Sequence, residues 1–196
     1  MHKEYEYFVC HKPYGMLSQF SGEETDMLLG DIHNFPKDVY PIGRLDKDSE
    51  GLLALTNDNQ LKTKLLDPKN NHSKTYHVQV EGSITTEALH ALAKGGLKIS
   101  HKGKHHFTAP AKVELLETIT HPERVPPIRF RKNIPTSWIA ITLTEGKNRQ
   151  IRKMTAAVGF PTLRLIRVAI GKITLNDLNP GAVKKLDYNE ARLLFS

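Results

Sequence analysis

Cysteine is nearly absent from this chain of 196 residues, which contains only Cys10. A single thiol excludes an internal disulfide and fits a reducing, cytoplasmic environment. Cys10 follows apolar residues and precedes the turn-forming pair Lys12-Pro13. A buried strand residue is therefore a better interpretation of Cys10 than a thiol nucleophile.

Long apolar runs are also missing, and none approaches the roughly 20 residues of a membrane-spanning helix. The first five residues carry an acid and lack the apolar segment of a secretory signal. A hydrophobic fraction of 39% and a charged fraction of 25% are typical of a folded protein. We expect one domain over 1–196, or two packed subdomains at about 1–70 and about 71–196.

Acidic residues are scarce in one long stretch of a chain whose net charge is +7. Between Pro122 and Lys153 the only acids are Glu123 and Glu145. A run of one charge sign is usually a solvated face, but one this long favours contact with a phosphate backbone. The basic residues of the stretch are Arg124, Arg129, Arg131, Lys132, Lys147, Arg149, Arg152 and Lys153.

Short apolar runs and amphipathic segments alternate without a regular βαβ rhythm, which predicts an α+β fold. We expect a mixed, largely antiparallel sheet with flanking helices, and an extended, exposed loop at 121–135. The predicted strands cover 5–11, 39–42, 51–56, 74–80, 107–116, 137–143 and 163–174. The predicted helices cover 58–66 capped by Asn57, 85–94, 148–158 and a last turn or two after Asp187.

One aspartate, Asp46, lies on a sharp turn between two apolar strands. Aspartate in a turn is usually only a turn former. A loop fixed at both ends by packed strands is, however, also where catalytic groups tend to lie. Asp46, Asp48 and Glu50 are close enough in sequence to suggest a glycosidase pair, but they look more like solvated flanks around one buried acid.

Four motifs of the chain, in order, resemble those of the RsuA family of pseudouridine synthases. Lys12-Pro13 with Gly15 and the strand Lys74-Thr75-Tyr76 are weak signals alone, whereas the four together are specific. The other two are Gly43-Arg44-Leu45-Asp46 with Gly51-Leu52, and Glu145-Gly146-Lys147-Asn148-Arg149-Gln150-Ile151-Arg152-Lys153-Met154. Further likeness at Pro126-Pro127-Ile128-Arg129 and Gly159-Phe160-Pro161 points to the branch that modifies 23S ribosomal RNA and lacks a separate S4-like RNA-binding domain.

The resemblance implies a role for each residue of a uridine site. Asp46 would be the catalytic carboxylate, and Arg152, on a helix facing it, would be the cation that offsets its desolvation. Tyr76 would stack on the flipped uracil and Ile151 would form an apolar wall. Arg44 would contact the RNA backbone or fill the space that the base leaves, unless it is a surface arginine paired with Asp48 or Glu50.

The same resemblance implies RNA as the partner of a monomeric enzyme, and no cofactor or metal, since isomerisation neither oxidises nor transfers a group. The cluster His101, His105 and His106 has no neighbouring ligand of the right spacing, so we expect no metal site there. Two alternatives stay open: an RNA-binding or ribosome-assembly module without catalysis, and a synthase acting on another RNA. We expect the RNA to be bound by Lys12, Arg129, Arg131, Lys132, Lys147, Arg149 and Lys153.

Overall fold

A computed structural model describes residues 4–101, 103–128, 134–176 and 178–195 of the chain. The helices are α1 (Asn59–Leu66), α2 (Thr86–Lys94), α3 (Gln150–Ala157) and α4 (Tyr188–Arg192), with short 3₁₀ turns at Leu29–Asp31, Pro68–Asn70 and Leu193–Phe195. The strands are β1 (Tyr7–Lys12), β2 (Tyr40–Pro41), β3 (Glu50–Thr56), β4 (Lys74–Glu81), β5 (Lys98–His101), β6 (Lys104–Phe107), β7 (Lys112–Leu116), β8 (Thr136–Leu143), β9 (Thr162–Ile170), β10 (Ile173–Thr174) and β11 (Val183–Leu186). The α+β class is confirmed. No helix in the described ranges is both long and apolar enough to cross a membrane.

The first of two compact units combines Met1–Lys74 with Ile166–Ser196. Its strands follow the order β11-β1-β3-β9, in which β1 runs antiparallel to both neighbours and β3 runs parallel to β9. All seven residues of β3 are buried, as its uninterrupted apolar run predicts. Cys10 is fully buried in the core of this unit, together with Phe8, Met16, Leu53 and Leu55.

The second unit is Thr75–Leu165, in which β4, β8 and β7 are successive neighbours. Strands β5 and β6 form a separate antiparallel hairpin. Apolar residues of β4, β8, α2 and α3 make one core. The expected division near residue 70 lies close to Lys74, where the first segment of the first unit ends. Residues 166–196 also belong to the first unit, and local periodicity does not reveal that the chain returns to it.

Several predicted element boundaries are wrong for identifiable reasons. Asp58, not Asn57, caps α1, because its carboxylate accepts hydrogen bonds from Gln60 N and Leu61 N. The Asn57 side chain instead accepts a hydrogen bond from Glu6 N at 2.8 Å. The strand expected over 163–174 is a hairpin of β9 and β10, which turns at Gly171 with φ +55°.

The strand expected over 107–116 is likewise divided. Phe107 ends β6, and the buried Thr108 closes the base of the hairpin, where its N–H donates to Leu97 O at 3.1 Å. Helix α3 begins at Gln150 rather than 148, because Arg149 has a positive φ of 52° that an α-helix does not allow. The described part of the 121–135 loop, 121–128 with 134–135, has no helix or strand.

Candidate active site

Asp46 lies on a turn of the first unit that its neighbours fix in place. The turn is closed by a hydrogen bond from Ser49 N to Asp46 O at 3.0 Å. The next residue, Lys47, accepts a hydrogen bond from Gly15 N at 2.8 Å, which ties the first motif to the second. The side chain of Asp46 is half-buried, so the carboxylate is both held by the backbone and within reach of a ligand.

The residue before the aspartate, Leu45, is held by Ser18. The Ser18 hydroxyl accepts a hydrogen bond from Leu45 N at 3.0 Å and donates one to Leu45 O at 2.9 Å. Both residues are buried, so no water competes for these backbone groups. Sequence reasoning missed Ser18, since nothing in the local pattern links it to a turn 27 residues away.

The three neighbouring acids Asp46, Asp48 and Glu50 differ in how far they are buried. Asp46 and Asp48 are half-buried, whereas Glu50 is the buried member with 2% exposure. The buried member of this acidic run is therefore at the start of β3 and not on the turn. One buried acid was expected among the three, and the structure identifies it as Glu50.

Lys12 is a cation near these acids, and it is fully buried with 0% exposure. Its ammonium donates to Met16 O at 2.7 Å and to Pro13 O at 3.0 Å. Burial lowers its pKa to about 8, against the opposing effect of nearby charges including Glu50. A side chain with no exposed surface cannot contact an RNA backbone, so this expectation for Lys12 is corrected to an internal role beneath the turn.

Arg44 precedes the turn and is exposed. Glu50, one of the two acids proposed to pair with it, is buried. The position of Arg44 in solvent fits a contact with a ligand at the Asp46 turn.

The second unit positions Tyr76 and α3 around one core. Tyr76 on β4 is partly buried and packs against the cluster that includes Ile151 and Met154. Ile151 has 4% exposure and Met154 is fully buried, so both are core residues whatever else Ile151 does. Arg152 is half-buried, and its Nη1 donates to Thr162 O at 3.4 Å.

Glu145 organises the loop that leads into α3. Its carboxylate accepts hydrogen bonds from Ala109 N at 2.9 Å, from Gln150 Nε2, and bonds His106 Nε2 at 3.0 Å. Burial acts to raise the pKa of Glu145, but these hydrogen bonds outweigh burial and lower it. The Gln150 side chain in turn accepts a hydrogen bond from Lys147 N at 2.9 Å, so Glu145 and Gln150 together fix the start of the helix that carries Ile151 and Arg152.

The basic residues expected to bind RNA fall into three groups. Arg149 is exposed at the start of α3 and Lys147 is half-buried in the loop before it. Lys153 is half-buried, and its ammonium donates to Ser100 O at 2.8 Å and Asn148 O at 2.7 Å. The remaining three, Arg129, Arg131 and Lys132, lie outside the described residues.

Comparison with known proteins decides the family. A sequence profile described as "RNA pseudouridylate synthase" matches residues 6–157. The chain belongs to the RNA pseudouridylate synthase family. It is an enzyme, an isomerase that converts uridine in RNA to pseudouridine, and the resemblance read from its four motifs is confirmed.

Two relatives and one solved structure show how far the likeness extends. The "Ribosomal large subunit pseudouridine synthase E" of Vibrio parahaemolyticus is 51% identical over 178 residues, which are 91% of this chain and 72% of that protein. The protein of the same name from Xanthomonas campestris pv. campestris is 50% identical over 176 residues, 88% of this chain and 91% of its own. A "Crystal structure of pseudouridylate synthase" is 27% identical with a TM-score of 0.78, covering 97% of this chain and 74% of the other.

Membership in the family defines the reaction. Isomerisation breaks the bond between N1 of uracil and C1′ of ribose, and rejoins the base through C5. A carboxylate held on a rigid turn is suited to act at C1′, and an apolar wall with an aromatic ring is suited to hold a uracil. Asp46 is a carboxylate on such a turn in the first unit, and Tyr76 packs against the core that contains Ile151 in the second unit.

Proposed function

We propose that the enzyme converts one uridine of large-subunit ribosomal RNA to pseudouridine. One observation carries the proposal. About half of the aligned residues are identical to those of proteins named ribosomal large subunit pseudouridine synthase E, over roughly nine tenths of this chain. A module that binds RNA without catalysis is not favoured, because the chain retains an aspartate, a tyrosine and an arginine at the family's motif positions. We further propose that it acts as a monomer in the cytoplasm.

In the proposed mechanism the target nucleotide leaves its helix and enters the enzyme, at a cost of a few kcal/mol. Arg44, exposed beside the turn, contacts the RNA backbone or fills the space that the base leaves. Tyr76 stacks on the extruded uracil over the apolar wall at Ile151. Arg152 supplies a cation that favours the charged form of a carboxylate shielded from water.

Asp46 then acts at the sugar or its base. Its carboxylate attacks C1′, stabilises positive charge on the ribose or removes a ribose proton, and each of these routes frees N1 of uracil. The uracil turns, a bond forms between C5 and C1′, and the hydrogen on C5 is lost as a proton while N1 gains one. Tyr76 is placed to move a proton at this late step. Atoms and electrons balance without an oxidant or a second substrate.

Mapping of pseudouridine in ribosomal RNA tests the function directly. Ribosomal RNA is compared from cells with the gene, without it, and with Asp46→Asn in its place, by carbodiimide treatment and primer extension. The proposal predicts one stop in large-subunit RNA that appears only with the wild-type protein. A stop only in small-subunit or transfer RNA would contradict the proposed substrate, and no stop in any RNA would favour the module without catalysis.

The basic loop Arg129, Arg131 and Lys132 is proposed to bind the RNA backbone, on the strength of its sequence. Neutralising all three should weaken binding to RNA of any sequence. The dependence of log affinity on log salt should flatten by up to about three phosphate contacts, each about 0.7–0.9 of a slope unit. An unchanged salt slope would show that the loop is only a solvated connection.

A further inference from the structure

The segment 94–108 carries four lysines, three histidines and one phenylalanine, and it contains no acid. The established reaction uses none of these residues. The His106 side chain is already hydrogen-bonded within the protein, from Nε2 to Glu145 at 3.0 Å. Lys94, Lys98, Lys104 and His105 of this segment are exposed on the second unit.

Register places one lysine, one histidine and the aromatic ring on one face of the β5–β6 hairpin. Lys98 is paired with Phe107 and Ser100 with His105, and these pairs alternate with the pair Ile99 and His106. Since successive side chains of a strand point to opposite faces, the pairs Lys98–Phe107 and Ser100–His105 share one face. We call Lys98, Ser100, His105 and Phe107 the outer face of the hairpin.

Burial separates the two faces. Ile99 is 4% exposed and belongs to the core of the second unit, whereas Phe107 is 64% exposed. Lys98 and His105 are also exposed. One exposed apolar side chain alone is normal on a protein surface. A bare aromatic ring directly opposite a lysine, on a face without any acid, is a more specific arrangement.

The hairpin is fixed to the rest of its unit. At its base, Leu97 N donates to Thr108 Oγ1 at 3.2 Å and Gly96 N donates to Thr108 O at 2.7 Å. Lys153 of α3 donates to Ser100 O at 2.8 Å, so the hairpin is tied to the helix that carries Ile151 and Arg152. A surface that is already ordered loses little entropy when a ligand binds.

An exposed aromatic ring beside a cation is an arrangement by which proteins bind single-stranded nucleic acid, since any base can stack on the ring while the cation meets a phosphate. A duplex does not offer unstacked bases, and a lysine directly opposite the ring disfavours an apolar protein contact. We propose that the outer face of the hairpin binds single-stranded RNA flanking the target uridine, with one base stacked on Phe107 and a phosphate at Lys98. This inference rests on the proposed function for its RNA substrate.

The test measures affinity for a fluorescent single-stranded RNA of about ten nucleotides and for the same sequence as a duplex. Phe107→Leu keeps an apolar side chain but removes the ring, and should weaken single-strand binding by at least about fivefold. Phe107→Tyr keeps the ring and should bind within about twofold of wild type. Lys98→Gln should lower the salt slope by about 0.7. Leu115→Ala, at a residue 53% exposed on β7, is the matched control and should bind as wild type does.

Equal single-strand affinity for Phe107→Leu and wild type would overturn the proposal, as would an equal loss of single-strand and duplex affinity. Far-UV circular dichroism and a melting curve verify the fold of each variant, and Phe107→Tyr and Lys98→Gln keep the test decisive if Phe107→Leu is unstable. Mapping of the pseudouridine made by the wild-type enzyme tests the proposed substrate independently of this binding measurement. If the wild type modifies large-subunit RNA while Phe107→Leu keeps its affinity, only the hairpin proposal fails. If Phe107→Leu loses affinity while the wild type modifies no large-subunit RNA, only the substrate proposal fails.

Discussion

The Ser18 hydroxyl bonds both backbone groups of Leu45, accepting from its N–H at 3.0 Å and donating to its carbonyl at 2.9 Å. Leu45 directly precedes Asp46, so one buried side chain sets the position of the turn that presents the carboxylate. A displacement of about 1 Å at a catalytic group is enough to slow a reaction by orders of magnitude. We therefore propose that Ser18 is a positioning residue that acts through the backbone.

Ser18→Ala should reduce kcat by at least about tenfold, because the turn loosens. KM should change little, because the RNA-binding surface is intact. Two buried backbone groups also lose their partner, which should lower the free energy of unfolding by about 1–3 kcal/mol. Steady-state kinetics and denaturant unfolding measure the two effects. Ser18→Thr keeps the hydroxyl and should recover part of kcat, and Ser21→Ala, at an exposed serine, is the control. A purely structural role would lower stability and leave kcat unchanged.

Asp46→Asn should abolish isomerisation and leave the fold and RNA affinity close to wild type. The amide keeps the shape of the side chain but cannot serve as a nucleophile or base. Single-turnover assays measure pseudouridine formation, with Asp48→Asn as a control that changes the neighbouring acid. Turnover of Asp46→Asn within about tenfold of wild type would assign the chemistry to another group.

Arg152→Ala should lower kcat severely, whereas Arg152→Lys should retain more activity because the charge survives and only the fork geometry is lost. The expectation follows from the family role of this position and from the half-buried setting of Arg152 beside Ile151 on α3. Arg192→Ala removes an arginine of α4 that lies over the Tyr188 ring and should leave kcat unchanged. Equal kcat values for Arg152→Ala and wild type would contradict a catalytic role.

Lys12 should make stability depend on pH. The folded chain releases the Lys12 proton at a pKa of about 8, while an unfolded chain does so near the ordinary value of 10.5. Burying the charge therefore destabilises the fold fully below pH 8, and this destabilisation is relieved as pH rises from 8 to 10.5. Burial also raises the pKa of Cys10 from 9.0 to about 12, which lowers stability above pH 9, so the window from pH 8 to 9 isolates Lys12.

Within that window the free energy of unfolding of the wild type should rise by about 1 kcal/mol relative to Lys12→Met, which has no proton to release. Chemical denaturation at several pH values gives the difference between the two proteins. Lys94→Met, which alters an exposed lysine, should keep the wild-type slope. Parallel pH profiles for the wild type and Lys12→Met would show that Lys12 does not titrate in this range.

Gly51→Ala should destabilise the first unit by more than about 3 kcal/mol. Gly51 has φ +107°, and an added Cβ would lie less than 3.0 Å from the N, C and O atoms of Arg167, its partner in the parallel pair. Gly30→Ala meets nothing within 4 Å and should be tolerated. Thermal unfolding of the two variants separates a close backbone approach from a general effect of alanine. Similar melting temperatures would contradict the role assigned to Gly51.

Local pattern was sufficient to identify most elements and the family. The apolar run at β3 predicted a buried strand, and alternation in β8 and the Asp187 capping box at α4 follow rules that operate within a few residues. The four motifs identified the family because their residue types and order are specific. These are properties of short segments, which a sequence displays directly.

Tertiary packing decided the burial of charged groups and the long-range connections. The sequence places Asp46 and Glu50 on one short acidic run, but only the pairing of β3 buries Glu50 and leaves Asp46 half-exposed. Lys12 looks like a surface lysine until the fold encloses it, and Ser18 meets Leu45 across 27 residues. Desolvation depends on every segment that covers a group, so contacts distant in sequence determine it and local spacing does not.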